Sequence, residues 1–138
     1  MQVYVATSFA NWPEAKRAAG LLAAAGVECS ASWIVVAETR TGKDATDPMF
    51  AKACYRQNYD DLDESDAFLM LRVPECGEAF FEAYYAIYER DIPVVWVGRP
   101  VLSITAGAVD VKLAASVEEA VAQLAWMNKH HAVQGRAK

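Results

Sequence analysis

The sequence has little of several features that would point to a particular environment. Its 138 residues include only three cysteines, at positions 29, 54 and 76, a spacing that matches neither a metal knuckle nor a redox pair. We therefore expect reduced thiols. No stretch approaches the ~20 consecutive apolar residues of a membrane span, and no basic segment of an export signal opens the chain. These absences favour a soluble, cytoplasmic protein without a membrane partner.

Positive charge is also scarce. The formal net charge is -5 and no cluster of Lys or Arg occurs, so the chain lacks the electrostatic footprint that binding to a phosphate backbone requires. A nucleic-acid polymer is therefore not expected as a partner. The length suits one domain with one core, which we place at residues 1–128, with a C-terminal tail at 129–138.

Short apolar runs alternate with helical patterns along the chain. The predicted strands cover residues 3–6, 27–34, 67–73, 93–97 and 109–113. The predicted helices cover residues 12–25, 48–62 and 78–90, and a last helix is capped by Ser116 with Glu119 at the capping-box position. This alternation calls for right-handed parallel crossovers. It predicts an α/β fold with a doubly wound, five-stranded parallel sheet in the order 2-1-3-4-5.

Two polar segments need an interpretation. Residues 37–47 are predicted to form a loop over the sheet edge that could serve as a lid. An acidic run lies at the far end of the second predicted helix, and a solvated or capping role is favoured over Mg²⁺ binding, because a metal site needs carboxylates that converge in space. The run comprises Asp60, Asp61, Asp63, Glu64 and Asp66. We expect neither a metal nor an organic cofactor.

In a sheet of this order, ligands bind where the loops after strands one and three part. Those loops are residues 7–11 and 74–79. Glu82 lies about one turn into the following helix, and Ala79 and Ala86 leave space beside its carboxylate. Tyr4 projects from strand one, where its phenol could hydrogen-bond that carboxylate, although a core aromatic is an equally good interpretation of Tyr4.

Three segments together resemble the nucleoside 2-deoxyribosyltransferase family. They are Val3 to Ala6, Asp61 to Ala67, and Gly77 to Ala86 followed by Ile92 to Val95, and the similarity extends over roughly residues 1–124. The resemblance implies a flavodoxin- or Rossmann-like three-layer sandwich that cleaves the N-glycosidic bond of a nucleoside or nucleotide through a covalent glycosyl-carboxylate. It assigns Glu82 as the nucleophile and Tyr4 as the residue that positions it.

The chain departs from the family at two positions. Many members carry an aspartate six residues before the nucleophile, where this chain has Cys76, and another where it has Asn58. Neither side chain can act as an aspartic acid does. A non-catalytic nucleotide-binding or sensing module on the same fold is therefore the alternative. A flavin or phosphate site is a weaker third possibility, because the first loop has no glycine.

Further residues are candidates for substrate binding on the same edge of the sheet. Trp33, predicted to end strand two, could stack on a base or serve as a core or interface residue. The substrate-binding candidates are Ser8, Phe9, Trp33, Asn58, Cys76, Gly77 and Ala79. Separately, aromatic residues surround most of the predicted 78–90 helix, and a second apolar face predicts a homodimer or higher homo-oligomer. These aromatics are Phe80, Phe81, Tyr84, Tyr85 and Tyr88.

Overall fold

A computed structural model describes residues 1–39, 47–106 and 110–134, with side chains described as far as residue 130. Strands and helices alternate along the chain. The strands are β1 (Gln2–Ala6), β2 (Glu28–Cys29), β3 (Ala67–Leu71), β4 (Val94–Val97) and β5 (Val111–Ala114). The helices are α1 (Trp12–Ala24), α2 (Trp33–Thr39), α3 (Pro48–Asp63), α4 (Glu78–Tyr84), α5 (Leu102–Thr105) and α6 (Val117–Gln134).

The five strands form one parallel sheet in the order β2-β1-β3-β4-β5, which confirms the predicted doubly wound, flavodoxin-like architecture. In the centre of the sheet, Val3 pairs with Ala67 and Phe68 pairs with Val94. Every residue of β3 is buried, as expected for a parallel strand covered by helices on both faces. The carboxyl ends of β1 and β3 therefore meet at the switch point of the sheet.

The helix ends follow local capping chemistry. Asp47 accepts a hydrogen bond from the Met49 amide at 2.9 Å, and Pro48 occupies the first position of α3, where its missing N–H costs nothing. Ser116 accepts from the Glu119 amide at 3.1 Å, as predicted. The Glu119 carboxylate accepts in return from the Ala115 amide at 2.8 Å, one residue before the cap.

The prediction of strand two as residues 27–34 was wrong over most of its length. Only Glu28 and Cys29 pair with β1, and a helix begins at Trp33. The β-branched run after Trp33 favours a strand locally. However, the Ser32 amide and hydroxyl both donate to Asp61, at 3.0 and 2.5 Å, and so satisfy the start of a helix. Tertiary contacts therefore override the local preference.

Other boundaries differ by smaller amounts. Residues 37–39 belong to α2, and residues 40–46, which hold most of the predicted lid, lie outside the described residues. Residue 109 of the predicted last strand also lies outside them, and β5 runs from Val111 to Ala114. Helix α6 continues to Gln134, past the predicted domain boundary at residue 128. Among the helices described, none has the length and apolar content needed to cross a bilayer.

Helix α4 changes its winding after about two turns. Residues Tyr85–Glu89 form a π-helical turn, and the Arg90 amide donates to the Tyr85 carbonyl at 2.9 Å. π-turns within α-helices occur often at functional sites. The turn lies directly after the helical segment that carries Glu82.

Candidate active site

A cavity opens at the carboxyl ends of β1 and β3, where the sheet order predicts a ligand crevice. Its volume is about 160 Å³. Pockets that enclose drug-sized ligands measure ~300 to 1,000 Å³, so this one would enclose part of a nucleoside rather than all of it. The described residues that line it are Thr7, Phe9, Trp33, Phe50, Ala51, Cys54, Tyr55, Asn58, Glu78, Ala79 and Glu82.

Glu82 places a buried carboxylate in the wall of this cavity, with only 5% of its surface exposed. The Tyr4 hydroxyl donates a hydrogen bond of 2.6 Å to its Oε2 atom. Tyr4 is itself fully buried on β1, and its ring stacks on Phe68 of the neighbouring strand. The phenol therefore holds one carboxylate oxygen in place and leaves Oε1 for a ligand.

The surroundings of Glu82 favour its neutral form. Burial raises the pKa of Glu82 to about 7; the Tyr4 hydrogen bond lowers it by a smaller amount, and nearby Glu78 adds a small increase. Burial, followed by the charge of Glu82, raises the pKa of Tyr4, so the phenol remains a donor. Near neutral pH the carboxylate therefore exists in both forms, and its ionised form is available as a nucleophile.

Trp33 and Phe9 form an aromatic wall of the cavity. The Trp33 indole donates from Nε1 to the Val5 carbonyl at 2.8 Å, and its ring centroid lies 6.2 Å from that of Phe9. Trp33 is 5% exposed. The side chain is therefore both a fixed core residue and a flat surface that lines the cavity, which combines the two interpretations given above.

Asn58 reaches the cavity from α3. Its Oδ1 atom is buried and has no hydrogen-bond partner among the described residues. A buried acceptor without a donor costs about 1–3 kcal/mol, which a ligand hydroxyl could recover by donating to it. Asn58 therefore presents an unpaired buried acceptor at the wall of the cavity.

Two acidic side chains line the cavity on the same face of α4, since Glu78 lies four residues before Glu82. Tyr55 of α3 donates to the Oε1 atom of Glu78 at 2.5 Å, and this contact raises the pKa of Tyr55 to about 12. The pair joins α3 to the first turn of α4. Sequence reasoning assigned no role to either residue.

Of the predicted site residues, Phe9, Trp33, Asn58, Ala79 and Glu82 line the cavity, and Tyr4 lies directly behind Glu82. The remaining three are not among the described lining residues. They are Ser8, Cys76 and Gly77.

Each of these three residues has a structural role instead. The Cys76 sulfur is buried and accepts from the Val73 amide at 3.2 Å, so it contacts the backbone before α4 rather than the cavity. Gly77 has a φ of +52° and allows the chain to turn into α4. The Ser8 carbonyl accepts from the Asn11 amide at 2.9 Å and closes the turn after β1.

The acidic run ties neighbouring elements together. Asp61 accepts from Ser32, Asp63 accepts from the Tyr85 hydroxyl at 2.6 Å, and Asp66 accepts from the Gln2 amide at 2.8 Å. In the part of the chain that is described, no three His, Cys, Asp or Glu side chains converge as metal ligands would. Asp61, Asp63 and Asp66 therefore link neighbouring strands and helices through hydrogen bonds.

Comparisons with protein-family models, with curated proteins and with solved structures found no match to this chain. The residues of the cavity and their geometry therefore carry the functional information.

Four cavity residues of α3 were missed by sequence reasoning: Phe50, Ala51, Cys54 and Tyr55. The signal that could have found two of them is helical spacing, because Ala51, Tyr55 and Asn58 recur at intervals of four and three residues and so share one face of α3. Once Asn58 is placed at the crevice, the helical spacing places Ala51 and Tyr55 there as well.

Proposed function

We propose that this protein cleaves or transfers the N-glycosidic bond of a (deoxy)nucleoside or nucleotide through a covalent glycosyl ester of Glu82. The observation that carries the proposal is the buried Glu82 carboxylate at the switch point of the sheet, oriented by the 2.6 Å hydrogen bond from Tyr4. Carboxylates are seldom buried without a strong reason, because desolvation of the charge is costly. Retaining glycosidases use a carboxylate in this way.

The reaction has two steps that balance. In the first, Glu82 attacks the anomeric carbon, an ester C–O bond forms, and the bond to the base breaks with its electron pair leaving on the base nitrogen, which takes a proton from solvent. In the second step, water or an acceptor nucleobase attacks the same carbon and loses a proton, and the ester bond breaks to regenerate Glu82. Asn58 binds a sugar hydroxyl, and Trp33 with Phe9 packs against a ring of the ligand.

The test is detection of free base by liquid chromatography from a panel of deoxynucleosides and their monophosphates, with and without an acceptor base. We expect release by the wild type and loss of release in Glu82→Ala. Glu89→Ala, which alters an exposed glutamate further along the same helical stretch, serves as the matched control. Dependence on the acceptor base separates a transferase from a hydrolase. Equal release by wild type and Glu82→Ala would refute the role of Glu82.

A second candidate is a nucleotide-binding or sensing module without catalysis. It is favoured by Cys76, which is turned away from the cavity, and by Asn58 in place of a carboxylic acid. This candidate predicts saturable nucleoside binding by a folded wild-type protein that releases no base from any member of the panel.

We further propose that the protein is a cytoplasmic homodimer that uses the outer face of α4. Phe81 and Tyr84 are 71% and 51% exposed there, whereas Phe80 and Tyr85 pack against the core. An exposed aromatic face of this kind is typical of subunit contacts. Sedimentation should give a dimer for the wild type and a monomer for Phe81→Glu; a monomeric wild type would refute the proposal.

A further inference from the structure

Glu78 occupies the cavity wall one helical turn before Glu82. Four residues of α-helix rise about 6 Å, and residues at this spacing share a face. Glu82 is buried, whereas Glu78 is exposed to solvent, and both line the cavity. A nucleoside whose anomeric carbon lies at Glu82 therefore has room to extend its base along α4 toward Glu78.

The orientation of Glu78 is fixed from the opposite wall. Tyr55 donates to its Oε1 atom at 2.5 Å, which leaves Oε2 as an acceptor for a ligand. A glutamate carboxylate accepts hydrogen bonds and donates none. Cys76 lies two residues before α4, is buried and bonds the backbone of residue 73, and it is not among the described residues that line the cavity.

Bases differ in what they offer such an acceptor. Adenine and cytosine carry an exocyclic amine that donates hydrogen bonds, whereas an oxo group at the corresponding edge is an acceptor. An oxo group placed against Glu78 would leave two acceptors facing each other. A site built for a donor discriminates strongly against an analogue that lacks it, because its polar groups are then left unpaired.

We propose that Glu78, held in place by Tyr55, is a specificity-determining residue that selects nucleosides whose base carries an amino group at the edge opposite the sugar. This inference rests on the proposed function for the placement of the sugar at Glu82. It names the substrate class as deoxyadenosine-like and deoxycytidine-like compounds, in preference to deoxyinosine, deoxyuridine and thymidine.

The test uses two pairs of nucleosides that differ only at this edge: 2′-deoxyadenosine with 2′-deoxyinosine, and 2′-deoxycytidine with 2′-deoxyuridine. Dissociation constants are measured by titration calorimetry on Glu82→Gln protein, in which the proposed nucleophile is absent. We expect the amino compound of each pair to bind at least about tenfold more tightly. Adding Glu78→Gln should reduce the preference to less than about threefold, because a carboxamide also donates to an oxo group.

Two further variants separate specificity from structure. Glu75→Gln, which alters an exposed glutamate that is not among the described lining residues, should keep the full preference. Tyr55→Phe should weaken the preference while Glu78 remains, because it frees the carboxylate to move. Circular dichroism confirms that each variant is folded.

Binding and turnover distinguish failure of the inference from failure of the proposed reaction. Equal affinity within both pairs, a preference that persists unchanged in Glu78→Gln, or failure of all four nucleosides to bind would each overturn the inference. A preference that depends on Glu78, found in a protein that releases no base, would support the inference and refute the proposed reaction. Base release by the wild type at equal kcat/KM for both members of each pair would support the reaction and refute the inference.

Discussion

The buried carboxylate of Glu82 makes the stability of the folded protein depend on pH. Burial raises its pKa from the ordinary value of 4.5 to about 7, so the folded chain binds this proton more tightly than the unfolded chain. The free energy of unfolding is therefore unaffected by Glu82 below about pH 4.5. The free energy of unfolding then falls as the pH rises to about 7, because the buried carboxyl resists losing its proton, and it stays reduced above that pH. At about 1.4 kcal/mol per pKa unit, the full penalty is about 3 kcal/mol.

Glu82→Gln removes this penalty, because the amide is uncharged at all these pH values and still accepts the Tyr4 hydrogen bond. We expect the difference in unfolding free energy between the variant and the wild type to be about 2 kcal/mol larger at pH 8 than at pH 5, in favour of the variant. Urea unfolding followed by circular dichroism at both pH values measures the gain. Taking the difference between variant and wild type cancels the titration of the other groups.

Glu89→Gln is the matched control, because this glutamate is exposed and its substitution should give the same difference from the wild type at both pH values. The reasoning would be refuted if Glu82→Gln differed from the wild type by a constant amount at pH 5 and pH 8. It would also be refuted if the variant became relatively less stable at the higher pH.

Three further predictions concern neighbouring parts of the site. Tyr4→Phe removes the hydrogen bond that lowers the pKa of Glu82. In a plot of kcat/KM for base release against pH, the midpoint of the rise on the acid side should therefore move to higher pH. An unchanged midpoint contradicts this. Asp61→Ala uncaps α2 and should cost about 1 kcal/mol in urea unfolding, whereas Asp60→Ala should cost little; equal losses would refute the capping role. Gly77→Ala places a side chain at φ +52° without steric contact, so we expect a loss of about 1–3 kcal/mol from backbone strain; a loss under ~0.5 kcal/mol in the same assay would contradict it.

The sheet could be predicted because its central strands carry their signal locally. Residues of β1, β3 and β4 form short, continuous apolar runs, which are typical of parallel strands buried on both faces. Strand β2 lacked such a signal. The run from Trp33 to Val36 favours a strand in isolation, and its helical state depends on Asp61, a residue 29 positions away from Ser32. Local patterns hold no information about a contact of that kind.

Part of the candidate site could also be predicted from the sequence. Tyr4 and Glu82 follow from the sheet order, since the ends of β1 and the helix after β3 must meet at the switch point. The contribution of Tyr55 depends on how α3 lies against α4, which is a matter of tertiary packing. Cys76 was predicted to bind substrate, but its sulfur accepts from the Val73 amide, and a contact of this kind depends on the local loop conformation, which the residue type allows and does not require.

The hydrogen bond between Tyr4 and Glu82 joins residues 78 positions apart in the sequence. This contact exists only in a chain in which β1 is paired with β3 and α4 is packed onto them, so the site is complete only when all three elements are in place. Conversely, any partial opening that detaches β1 from the sheet dismantles the site as well. Amide hydrogen exchange in β1 therefore reports directly on the population of molecules whose site is assembled.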